Sequence, residues 1–111
     1  MTKFIHITMS SNAETFNLAE AVHWKRATLE RCNFVTANEG SSAETYVLHI
    51  DQMPQEMLFC DGGASTQRIG TFLVGSEPFN PQETQTVANR NPSLPLENLS
   101  LKVYKNTGAL A

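Results

Sequence analysis

Hydrophobic and polar residues alternate with a period of two along most of this chain, which is the spacing of a half-buried β-strand. The ending "NLSLKVYKNTGALA" shows it most clearly: Leu99, Leu101 and Val103 alternate with Ser100, Lys102 and Tyr104. The same alternation predicts a first strand over "FIHITM", with Ile5, Ile7 and Met9 opposed to His6 and Thr8. In "ETYVLHID", Tyr46, Leu48 and Ile50 oppose Val47, His49 and Asp51. A turn at Met53-Pro54-Gln55 follows, because Pro54 cannot donate to a ladder. The apolar run "EMLFCDGG" ends in Asp61-Gly62-Gly63, a strong turn signal. "RIGTFLVGS" reads as one further strand, with Phe72 and Val74 on one face and Ile69, Thr71 and Leu73 on the other. Its Gly70 and Gly75 mark a bulge or a close backbone approach.

Two segments break the pattern. "NAETFNLAEAVHWKRATLERCNFVTAN" has helical propensity, and Ser11 and Glu14 have capping-box spacing. As a helix, Leu18, Val22, Leu29 and Cys32 form a stripe, but Phe16 and Trp24 then fall on the opposite face and Lys25 intrudes. As strands, Phe16/Leu18, Val22/Trp24, Ala27/Leu29 and Cys32/Phe34 alternate, with slips of phase between the pairs. The segment is therefore read as two strands, roughly 15–19 and 24–36, joined by a short turn, with a single helix as the alternative. From Glu77 to Pro95 the alternation dissolves, and four of the five prolines lie there. This is an extended loop or arm, and loops of that length are usually functional or ordered by a partner.

About seven short strands with turns between them predict an all-β chain. The expected architecture is a single antiparallel β-sandwich over residues 1–111, Ig-like or jelly-roll-like, with a long Pro/Asn-rich arm at 77–95. A length of 111 residues fits one domain with an ordinary core. The charged fraction, 17%, is low, which favours a polar, loop-rich β protein over a helical bundle. The last strand ends in the turn residues Asn106, Thr107 and Gly108, and only three residues follow. Its partner is expected to be "FIHITM", while Ala109–Ala111 are free to reach a neighbouring subunit.

Charge and motifs narrow the chemistry. The net charge is −3, and the longest run of basic residues is the pair Lys25-Arg26, so a nucleic-acid footprint is not expected. No run of 18 apolar residues is present, so no membrane span is predicted. The N-terminal apolar run is too short for a signal peptide, which points to a reducing compartment. Cys32 and Cys60 do not make a disulfide framework. Both read as small buried apolar residues, and a bridge between them would need neighbouring strands. His6, His23 and His49 have no metal-ligand spacing; if their strands were adjacent, His6 and His49 could approach each other. Cys60-Asp61-Gly62-Gly63 looks like a nucleophile before an oxyanion loop but lacks a thiolate-stabilising partner, and so reads as a turn. No G-x-S-x-G elbow or glycine-rich phosphate loop occurs. Neither a catalytic role nor a cofactor is expected. Asn98-Leu99-Ser100 matches the glycosylation pattern but falls in a predicted strand.

The order of features resembles the small β-sandwich minor capsid proteins of eukaryotic double-stranded DNA viruses, namely polinton-like viruses, virophages and their giant-virus relatives. The C-terminal part of those proteins often runs PL-x-x-L-x-[apolar]-x-[apolar] … [ND]-x-G, matched here by Pro95, Leu96, Leu99, Leu101, Val103, Asn106 and Gly108. Their pairing of an F-x-[apolar] strand with a W-x-x-x-L strand is matched by Phe16/Leu18 and Trp24/Leu29, with one extra residue in the spacing. The resemblance implies a structural component of a virion that binds other capsid proteins or copies of itself, as a homo- or hetero-oligomer. It brings no catalytic residues. Trp24, Phe79, Val87, Tyr104 and Leu110 are the candidate interface residues. The alternative is a small-ligand or carbohydrate-binding module, with Trp24, Tyr46, Phe72 and Tyr104 lining a concave face.

Overall fold

The computed structural model describes residues 2–32, 45–75, 85–105 and 110. Among these the chain is all-β, with antiparallel strands and no helix, so there is no helix long and apolar enough to cross a membrane. The strands are β1 (Ala13–Val22), β2 (Arg26–Thr28), β3 (Thr45–Ile50), β4 (Gln55–Asp61), β5 (Ala64–Gly70), β6 (Phe72–Gly75), β7 (Thr86–Ala88) and β8 (Leu96–Lys105). A four-stranded sheet has the order β1-β8-β3-β6, and β2-β7 and β4-β5 are two-stranded ribbons.

The C-terminal strand is central in its sheet. On one side β1 pairs with it from Val22↔Leu96 to Ala13↔Lys102, with a register shift between Asn17 and Val22. Beyond β1, the Val103 N–H donates to the Asn12 carbonyl at 3.0 Å, and Leu110 forms an antiparallel bridge with Tyr104. On the other side β3 pairs from Ile50↔Leu101 to Tyr46↔Lys105. From Leu101 to Tyr104, β8 is therefore flanked on both sides from within the chain. This corrects the expected pairing with "FIHITM". Residues 2–9 form no strand, because the place beside β8 is taken by the ten residues of β1. Ile7 and Met9 instead pack against the core from outside the ladder, while Phe4 and Ile5 are exposed. Leu110 meets its own chain through that bridge; the turn at 106–108 and the remaining tail residues 109 and 111 lie outside the described residues.

Alternation divides the sheet into two faces. Phe16, Leu18, Leu99, Leu101, Val103, Tyr46, Leu48, Ile50, Phe72 and Val74 share one face, which holds the core. The β2-β7 ribbon contributes Ala27 and Val87 to that core, and Met53, Leu96, Trp24, Leu29 and Cys32 complete it. The opposite face is more polar and carries Thr15, Ser100, Lys102, Tyr104, Val47 and His49.

No helix forms over 13–32; the strand predicted at 15–19 lies within β1, whereas of the strand predicted at 24–36 only Arg26–Thr28 is strand, and residues 29–31 are not. The part of the second strand beyond residue 32 lies outside the described residues. The Ser11–Glu14 spacing is still a genuine interaction. The Glu14 carboxylate accepts from the N–H of Ser10, from the Ser10 hydroxyl at 2.9 Å and from the Ser11 N–H at 2.7 Å, closing the bend that leads into β1. Serine and glutamate at this spacing can close a turn before a strand as well as a helix N-terminus.

The predicted strand over "RIGTFLVGS" is two strands, β5 and β6, separated at Thr71. Thr71 is fully buried. Its hydroxyl accepts from the Ile50 N–H at 2.9 Å and donates to the Met53 carbonyl at 2.9 Å, and its own N–H donates to the Leu48 carbonyl at 2.8 Å. These bonds close the β3–β4 turn onto the β5–β6 break. The bend brings Gly70 against Val47. A Cβ at Gly70 would fall inside van der Waals contact with Val47 Cγ1 and lie 3.3 Å from Met57 Sδ, so the close approach expected of this glycine is realised. The β4-β5 turn is formed by Gly62 (φ 59°) and Gly63 (φ 86°), the left-handed pair of a type I′ hairpin turn.

Part of the span predicted as an arm lies against its own chain. Residues 86–88 are β7, in register with β2 from Arg26↔Ala88 to Thr28↔Thr86. The Asn89 side chain donates to the Trp24 carbonyl at 2.7 Å, and its N–H donates to the Lys25 carbonyl at 2.8 Å. Residues 77–84 lie outside the described residues.

Candidate functional site

Gln85 and Gln52 show how side-chain amides finish the sheet. The Leu73 N–H donates to Gln85 Oε1 at 2.8 Å, and Gln85 Nε2 donates to the Leu73 carbonyl at 2.9 Å. The amide thus occupies the outer edge of β6 as a neighbouring peptide would, which blunts that edge against other chains. The Gln85 carbonyl also accepts from the Leu29 N–H at 3.2 Å, tying the β2-β7 ribbon to the sheet. Gln52 acts similarly where β3 ends: Ser100 N–H donates to its Oε1 at 2.9 Å, and its Nε2 donates to Asn98 Oδ1 at 3.0 Å. The glycosylation-pattern asparagine is therefore held by Gln52 within β8.

The five candidate interface residues do not form one surface. Val87 is buried in the core at 4% exposure, which corrects its place on an outward arm. It is the inward residue of β7, flanked by exposed Thr86 and Ala88. Trp24 follows β1 and packs half-buried against the core. Tyr104 and Leu110 meet through their bridge, with Leu110 47% exposed. Phe79 lies outside the described residues. Nor do Trp24, Tyr46, Phe72 and Tyr104 line one concave face, because Tyr46 and Phe72 are core residues.

The β4-β5 hairpin carries the apolar surface that alternation alone did not single out. Met57, Phe59 and Arg68 face inward on it, with the Arg68 guanidinium 6.0 Å from the Phe59 ring centre. Leu58, Cys60 and Ile69 face outward. Leu58 is 75% exposed and Ile69 59% exposed. They are diagonal neighbours, since Leu58 pairs with Gln67 and Glu56 with Ile69. Cys60 is thus exposed rather than buried as expected, while Cys32 is half-buried and both are free thiols. Burial pushes the Cys32 thiol pKa up.

The polar face of the sheet and the hairpin border an open cleft of about 360 Å³ lined by Val47, His49, Arg68, Ile69 and Tyr104. β3 presents Val47 and His49, β8 presents Tyr104 across from Val47, and the bend at Thr71 brings β5 over them. His49 Nε2 lies 2.8 Å from Asp51 Oδ1. A carboxylate only accepts, so Nε2 carries the hydrogen and Nδ1 is the remaining ring atom. The His49 and Tyr104 rings meet edge to face with centres 6.3 Å apart. His49 Nδ1 and Arg68 Nε are buried without a hydrogen-bond partner among the described residues. No three His, Cys, Asp or Glu side chains of the described residues gather as a metal site. His6 lies in the exposed N-terminal segment, outside any strand, so it does not pair with His49 across adjacent strands.

No protein-family model, curated protein or solved structure matches this chain.

Proposed function

We propose that this protein is a structural subunit of a virion, a minor capsid component of β-sandwich type that associates with copies of itself and with other capsid proteins. The observation that carries this reading is the outward face of the β4-β5 hairpin, where Leu58 and Ile69 stand side by side and exposed. A ribbon of two strands cannot bury both of its faces within a small domain. Its inner face, with Met57 and Phe59, is already turned toward the sheet. An apolar outer face on an ordered ribbon is surface that a partner can bury. The sandwich assignment is supported by the β2-β7 ribbon, whose Val87 and Ala27 join the core of the four-stranded sheet. The viral assignment is supported by the resemblance carried by Pro95, Leu96, Leu99, Leu101 and Val103. In this reading the protein acts through its surfaces and not through catalysis.

Sedimentation velocity of the purified full chain, over a series of concentrations, tests the proposal. The wild type is expected to self-associate, and Leu58→Glu to remain monomeric. Position 58 is three-quarters exposed, so the substitution leaves the core intact. A wild-type protein that is monomeric at every concentration would overturn the reading.

A further inference from the structure

The cleft beside β8, which shares only Ile69 with the assembly surface, joins features that together define a ligand chemistry. Buried polar atoms in folded chains are almost always hydrogen-bonded. Here Arg68 Nε and His49 Nδ1 are both buried and unpartnered among the described residues, and both residues line the same cleft. Arg68 has no ion-pair partner among those residues. His49 is oriented by Asp51, which fixes the hydrogen on Nε2 and leaves Nδ1 as the atom available to a ligand. Lys102 stands directly across from His49 on the same face of the sheet. A chain of net charge −3 therefore places Arg68 and an imidazole at one concavity, with Lys102 on the neighbouring strand. Val47, Ile69 and the Tyr104 ring supply apolar wall on the other sides. The volume, about 360 Å³, lies in the range of small-molecule sites.

We infer that this cleft binds a small organic oxyanion, a carboxylate or phosphate monoester carried on a flat apolar body. The anion accepts from Arg68 Nε–H beside the His49 ring, and the apolar body lies against Val47, Ile69 and Tyr104. Such charge-assisted bonds are the strong class, and guanidinium geometry suits a planar or tetrahedral oxyanion.

The test is a titration of the full chain with benzoate, phenyl phosphate, inorganic phosphate and benzamidine. It is followed by the NMR signals of the Arg68 Nε–H and the His49 ring. Benzoate, phenyl phosphate or both are expected to move the Arg68 and His49 signals saturably, and which of them does so identifies the headgroup. Arg68→Gln is expected to weaken binding by about tenfold or more, and Lys3→Gln, on the distant Glu20 pair, to leave it unchanged. Should Arg68→Gln fail to fold, the shifts mapped in the wild type still decide the site. Saturable binding that moves neither signal, binding of benzamidine as tight as benzoate, phosphate as tight as phenyl phosphate, or no binding of either aromatic anion would overturn the inference.

Discussion

Replacing Thr71 by valine tests the joint on which both the hairpin and the cleft depend. Valine keeps the shape and removes the hydroxyl, which is fully buried and bonded to the Ile50 N–H and Met53 carbonyl at 2.9 Å each. The substitution leaves a buried donor and a buried acceptor without their partner. Each orphaned group costs about 1–3 kcal/mol. Relaxation of the turn recovers part of that sum, so we expect a loss of about 2–4 kcal/mol, a large share of the ~5–15 kcal/mol of a typical domain. Thr71→Ser separates the hydroxyl from the methyl group. It keeps both bonds and loses one methyl, at a cost of about 1 kcal/mol. Urea unfolding of the three proteins reads the difference directly. With a slope of about 2 kcal/mol per molar, the middle of the range for a small protein, the midpoint of Thr71→Val should fall by roughly 1–2 M. A valine variant within about 0.5 kcal/mol of wild type, or a serine variant as damaged as valine, would show that the hydroxyl does not hold the joint.

Gly70→Ala should cost about 1–3 kcal/mol by overpacking, since its Cβ would meet Val47 Cγ1 on a rigid strand; in a double-mutant cycle with Val47→Ala the two changes should couple by more than about 0.5 kcal/mol. Gln85→Ala removes both bonds to Leu73 and opens the outer edge of β6, so hydrogen exchange of the Leu73 amide should accelerate while that of Val103, inside the sheet, stays slow. The Ser10 hydroxyl, followed by the Ser10 and Ser11 backbone, holds the Glu14 carboxyl below its ordinary value of 4.5. A depressed pKa stabilises the folded chain above the unfolded value, and the effect is lost as pH falls through the folded one. Urea midpoints of wild type and Glu14→Gln should therefore differ at neutral pH and converge as pH drops below about 4.5.

Much of the strand layout is legible in the sequence because packing and local pattern agree. Alternation marks β3 and β8 directly, and Asp61-Gly62-Gly63 marks the hairpin because a type I′ turn needs two left-handed residues. The conflict between helical propensity and strand pattern over 13–32 resolves in favour of strands. A helix would have put Phe16 and Trp24 on opposite sides from the apolar stripe, whereas strands turn both toward the core. Other features leave no local trace. β7 is three residues long and gains its structure from β2 and from Asn89, not from its own periodicity. "FIHITM" has the alternation of a strand, but alternation cannot say that a longer segment already occupies the ladder. Thr71 reads as one more strand residue, because its role depends on a turn twenty residues earlier. The cleft is assembled from β3, β5 and β8, so His49, Arg68 and Tyr104 have no spacing that would announce them.

The reactivity of Cys60 tests the assembly reading most directly. It lies on the same outward face of the hairpin as Leu58 and is an exposed free thiol, while Cys32 is half-buried among core residues. A maleimide of measured rate can therefore report on that face in the unmodified protein. If copies of the chain meet there, labelling of Cys60 should slow as protein concentration rises, and in Leu58→Glu it should proceed at one rate at all concentrations. A wild-type Cys60 that reacts equally fast at low and high concentration would contradict the account.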